Sequence, residues 1–90
     1  MDIAERLKQL RVELAVTSEQ LAFLEEEAGD ASIRALVSET PLADAEAREA
    51  RRHADAMLRH SVAINSSIAE LLIEQDAVLD RLLREMESNP

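Results

Sequence analysis

The sequence predicts an all-α protein, a long antiparallel helical hairpin (a coiled coil) that dimerises into a four-helix bundle. Three observations carry that expectation: a composition of strong helix formers, two unbroken heptad tracks, and one turn signal placed between them. Gly occurs once and Pro twice, while Ala, Leu, Glu and Arg dominate. Chains rich in these residues with helical periodicity form long helices or coiled coils.

The first track is Ile3, Leu7, Leu10, Leu14, Thr17, Leu21, Leu24, Ala28, Ala31 and Ala35. Its spacing alternates four and three, the pattern of a coiled-coil seam. The second runs Ala43, Ala47, Ala50, Ala54, Met57, Ser61, Ile64, Ile68, Leu71, Gln75, Val78 and Leu82 in the same rhythm. Between them lies Ser38-Glu39-Thr40-Pro41. Thr40 is a good N-cap, Pro41 suits the first helical position, and the residue before a proline is pushed out of the helical region. The expected elements are helix 1 over about 2–37, a turn at 38–41 and helix 2 over about 41–87, all in one domain spanning 1–90.

Folding the chain at that turn tests the tracks against each other. When paired position numbers add to 78, Ala35 faces Ala43, Ala31 faces Ala47 and Ala28 faces Ala50, so small meets small near the turn. Leu21 then meets Met57, Leu14 meets Ile64, Leu10 meets Ile68 and Leu7 meets Leu71. Thr17, the one polar residue of the first track, lands on Ser61. Matched sizes indicate a consistent register, because close-packed layers tolerate neither voids nor crowding. Charges beside the seam agree: Arg6 meets Glu74, Glu27 meets His53, Arg34 meets Glu46 and Glu25 meets Arg51. Exposed pairs of this kind select register more than they add stability. Gly29-Asp30 offers a competing signal, since Asp30 could cap a separate short helix over 31–37. The heptad through Ala28, Ala31 and Ala35 favours one helix.

The hairpin leaves apolar surface uncovered. Beyond Gln75, which faces Ile3, the second helix continues with Val78, Leu79, Leu82, Leu83 and Met86. An outer stripe on the same helix holds Leu58, Leu72, Leu79 and Met86. Apolar residues on both the seam and its flank describe a helix of a multi-helix bundle. The expected oligomer interface is therefore Leu58, Leu72, Val78, Leu79, Leu82, Leu83 and Met86. The first helix has a stripe of its own, Val12, Val16, Phe23, Ile33 and Val37, on the side away from its seam. A second copy would cover one or both surfaces; alternatively, one stripe receives a different protein by helix-in-groove docking.

Chemistry-bearing motifs are sparse. The chain has no Cys, and its two His alone cannot complete a structural zinc site. Glu49 and His53 stand four apart, where di-iron bundles use a Glu-x-x-His spacing in two copies. The two His are explained as residues flanking the seam, facing Glu27 and Gln20. Ser61, Ser66 and Ser67 lack a His/Asp constellation or a Gly-rich turn, and one Gly cannot build a phosphate loop. The expectations are no enzyme, no cofactor, no metal and no small-molecule substrate. A net charge of −9 argues against nucleic acid, and the stretch from Arg48 to Arg59 is interrupted by Glu49 and Asp55. No apolar run reaches the ~20 residues that span a bilayer, and the N-terminus lacks the order of a signal peptide. A cytoplasmic protein of bacterial type follows as the default, serving as a non-enzymatic adaptor or assembly element.

The turn region carries Glu39, Asp44 and Glu46. In outline this resembles the coiled-coil arm of bacterial transcript-cleavage factors, in architecture and in acidity near the turn. That resemblance implies the alternative function: a transcription regulator whose acidic tip reaches into RNA polymerase, its carboxylates supplying ligands to a bound Mg²⁺. Asp44 and Glu46 are also explained by the dipole, which favours acidic residues in the first turns of a helix.

Overall fold

The computed structural model describes residues 1–88 and consists of two helices, α1 over Ile3–Ser38 and α2 over Pro41–Ser88. They pack side by side in an extended antiparallel hairpin of 77 × 16 × 15 Å. α1 has 36 residues and α2 has 48, so α2 projects past the start of α1. Its radius of gyration is 21.3 Å, against about 12 Å for a compact chain of this length.

Each helix begins on a cap that the sequence supplies. Asp2 is extended (φ −78°, ψ 170°), and its carboxylate accepts the Glu5 backbone N–H at 2.7 Å. The Thr40 hydroxyl accepts the Ala43 N–H at 3.2 Å, and the Asp44 N–H donates to the Thr40 carbonyl at 3.1 Å. These contacts satisfy N–H groups that the first turn of a helix leaves without partners. α1 runs one residue further than the sequence suggested, so the turn is Glu39-Thr40 rather than 38–41. The cause is Glu39, which adopts the left-handed conformation (φ 51°, ψ 36°) and donates its N–H to the Ala35 carbonyl at 3.0 Å. That residue stops the helix in the manner usually left to glycine.

Gly29-Asp30 does not divide α1. Gly29 lies within the helix, without a positive φ, and a Cβ built on it would meet nothing within 4 Å. α2 is likewise continuous through Asn65-Ser66-Ser67.

The core is the double heptad track. Every member of both tracks from Ile3 to Gln75 is buried or half-buried, and Ser67 is the one other residue with that protection among those described. Leu7, Leu10, Ala28, Ala31, Ala54 and Ile64 are buried, Ala54 completely. Thr17 and Ser61 are the buried polar residues, in the layer where their positions coincide. No side-chain nitrogen or oxygen buried among the described residues lacks a hydrogen-bond partner. A narrow aliphatic seam of this kind gains stability mainly from apolar area removed from water.

Candidate functional site

Of the flanking charges, Glu25 and Arg51 meet as expected, with Arg51 Nη2 donating to Glu25 Oε1 at 2.6 Å. Arg51 Nε also reaches Asp55 Oδ1 on its own helix at 3.2 Å. The hydrogen bond that Arg51 donates to Glu25 is the first cause, ahead of charge attraction from Glu25 and Asp55, that raises the guanidinium pKa above its ordinary value. The other three pairs do not form. His53 Nε2 stands 3.8 Å from Glu49 Oε1, one turn back on α2, instead of Glu27. His60 Nε2 lies 3.4 Å from Glu13 Oε1. Arg6 and Glu74, and Arg34 and Glu46, make no ion pair among the described residues. Long exposed side chains lose rotamer freedom when they pair, so a neighbour on the same helix or elsewhere along the seam competes well.

The projecting surface begins beyond the start of α1. Past Gln75, α2 continues for 13 described residues to Ser88, about 20 Å at 1.5 Å per residue, all of them exposed. Val78 and Leu82 continue the seam without a facing helix, and Leu79, Leu83 and Met86 stand beside them in water. Leu72 and Leu58 extend the same surface back along the hairpin, at 37% and 46% exposure. All seven residues of the expected interface therefore lie on α2, on one connected side of the helix, five of them on the projecting end. Scattered exposed apolar residues are ordinary; these seven are contiguous along one helix.

The stripe on α1 is also exposed in full: Val12, Val16, Phe23, Ile33 and Val37. Phe23, 62% exposed, forms one wall of a shallow depression of about 420 Å³ with Glu19, Gln20, Leu24 and Met57. It is wide and open, a place for a side chain rather than an enclosed ligand. Sequence reasoning passed over Leu36, Leu42, Val62 and Ile73, which are exposed as well. Of these, Val62 sits next to the Leu58 stripe; spacing of four from Leu58 was the signal that could have found it.

At the other end, Glu39, Asp44 and Glu46 are exposed around the turn. Glu39 is engaged through its backbone as the helix cap, and Asp44 lies in the first turn of α2. Among the described residues, no three His, Asp or Glu side chains are grouped closely enough to hold a metal ion, at the tip or beside His53 and Glu49. No helix over these residues is long and apolar enough to cross a membrane. Neither a protein-family model, nor a curated protein, nor a solved structure matches the chain.

Proposed function

We propose that the chain is a non-enzymatic oligomerising helical module, an adaptor or assembly element whose first partner is a second copy of itself. The observation that supports this reading is the projecting end of α2, where apolar residues continue the seam with no helix opposite them. The exposed area is 6828 Å², against about 5,200 Å² for a compact monomer of 10.0 kDa. The excess, about 1,600 Å², is roughly twice what one partner contributes to a standard protein interface, about 800 Å². A chain this small needs buried area from elsewhere, and without cysteines it has no disulfide to replace it.

Light scattering coupled to size exclusion, with circular dichroism across a dilution series, tests the proposal. The expected result is a dimer whose helicity falls on dilution, because folding and association are linked. Burying one Leu side chain is worth ~1.5–3 kcal/mol, and a two-fold contact is made twice. Leu72→Glu with Leu79→Glu is therefore expected to abolish the oligomer and largely unfold the chain at micromolar concentration. Val16→Glu with Phe23→Glu, on the other face, is expected to leave the dimer in place. A wild-type chain that stays monomeric and fully helical on dilution would sink the proposal.

A further inference from the structure

α2 carries a second heptad track outside the hairpin seam. It runs from Leu58 to Met86 in alternating steps of four and three, and all nine members are exposed. Seven are apolar, and the two polar members are Asn65 and Asp76. In a heptad frame these positions lie about 100° round the helix from the seam, the angle at which a corner helix of a four-helix bundle meets its second neighbour.

We propose that this track is the interface with a second copy, formed by two α2 helices packed antiparallel in the register where position numbers add to 141. The inference rests on the oligomeric reading above and adds the orientation and register of the partner. In this register Leu58 layers on the partner's Leu83, Val62 on the partner's Leu79 and Ala69 on the partner's Leu72. Asn65 layers on the partner's Asp76, so the two polar members meet each other, and six of the seven apolar members meet apolar ones. Shifting by one heptad destroys the match. A sum of 148 sets Asn65 on Leu83 and Asp76 on Leu72, and a sum of 134 sets Asp76 on Leu58. Each of those buries a polar group against an aliphatic one, which costs more than any exposed pair could recover.

Charges outside the track give an independent check. Beside it, Arg59 meets the partner's Asp80 and Arg52 meets the partner's Glu87, each contact occurring twice by symmetry. These four residues are exposed and make no ion pair within the chain among the described residues. Arg11, also unpaired there, occupies the flank opposite Asn65 in the same relation that brings Glu25 to Arg51. Asp76 of one copy therefore arrives beside both Asn65 and Arg11 of the other, which supplies the donors that a covered carboxylate needs. The apolar track closes at Leu58: before it the positions become Asp55, Arg51 and Arg48, so only Met86, at the outer end, stands level with a polar residue, the partner's Asp55. A two-fold axis across two antiparallel α2 helices places both α1 helices on the same side, which closes a square at the centre of the assembly.

Cysteine pairing tests the register directly, since the chain has no Cys of its own. Val62→Cys in one chain and Leu79→Cys in a second, tagged chain are mixed and gently oxidised. The mixed disulfide is expected to dominate over either like-with-like product, whose sulfurs would sit about 25 Å apart along the axis. Val62→Cys mixed with Met86→Cys reports the shifted register and is expected to give little product. Charge reversal provides the second arm. Arg52→Glu with Arg59→Glu is expected to weaken the dimer about tenfold, through two pairs each made twice. Adding Asp80→Arg with Glu87→Arg is expected to restore it to within about threefold, since opposite charges again face each other. A dimer that cross-links 62 to 86, or that the second reversal does not rescue, overturns the register while leaving the oligomer standing. A monomer by light scattering overturns both.

Discussion

Ala28 and Gly29 are neighbours in sequence, yet adding carbon atoms to them has opposite expected effects. Ala28 is 1% exposed and sits in the seam, in the layer that the heptad register pairs with Ala50. Gly29 is turned about 100° away, where an added Cβ meets nothing within 4 Å. Leu at position 28 keeps a favourable helix propensity but forces three carbons into a layer built for methyl groups. Such overpacking typically costs about 1–3 kcal/mol, and separating the helices to relieve it would open the layers on either side. Ala at position 29 removes the helix penalty of glycine, worth about 1 kcal/mol, with no contact to offset it. For a chain of this size that gain corresponds to about 4–8 °C in Tm.

Urea unfolding followed by circular dichroism measures both changes, with all variants at one protomer concentration because the proposed association would be linked to folding. Ala28→Leu is expected to lower the midpoint and Gly29→Ala to raise it, with the slope unchanged in each case. The pair is diagnostic because helix propensity alone predicts almost no change at 28. An Ala28→Leu chain as stable as wild type would refute the close approach of the helices in this region, and with it the register that places Ala28 on Ala50.

Two further measurements probe the same hairpin. Spin labels at positions 17 and 61, and at 10 and 68, diluted into unlabelled protein so that only intrachain pairs report, are expected to give short distances. If they lie far apart within one chain, the helices have exchanged between copies. Glu39→Gly is expected to stabilise the chain by about 1 kcal/mol, because only glycine takes the left-handed conformation without a steric penalty; thermal melting of the two chains side by side decides it.

The seam was legible in the sequence because it reduces to one-dimensional arithmetic. Heptad spacing assigns a face to each residue, and one turn signal then fixes which residues oppose one another. Thr17 and Ser61, neither a typical core residue, are both buried, as matching the tracks required. The flanking charges were less legible. His53 had a near neighbour in Glu49 on its own helix, and spacing alone says nothing about which partner a long exposed side chain prefers. Glu39 at φ 51° was hidden for a different reason: glutamate carries no signal for the left-handed region, so the helix end had to be seen. The second track on α2 escaped notice because Asn65 and Asp76 interrupt it. The apolar residues between them then read as a sparse stripe rather than a continuous seam.

The turn also explains why the seam is graded in size. Ser38 and Pro41 are three Cα–Cα steps apart, which at 3.8 Å each reach at most about 11 Å. The actual path is folded at Glu39 and reaches less. Packed helices lie about 8–10 Å apart, and the short end of that range requires small side chains at the contact. A two-residue turn therefore demands alanine in the layers beside it, and Ala28, Ala31, Ala35, Ala43, Ala47 and Ala50 meet that demand. Beyond Leu24 most layers carry Leu, Ile or Met, side chains that need more room, as the constraint of the turn weakens. The larger seam side chains of the hairpin thus lie towards the end where α2 continues without an intramolecular partner, the end at which the proposed second copy would add buried area.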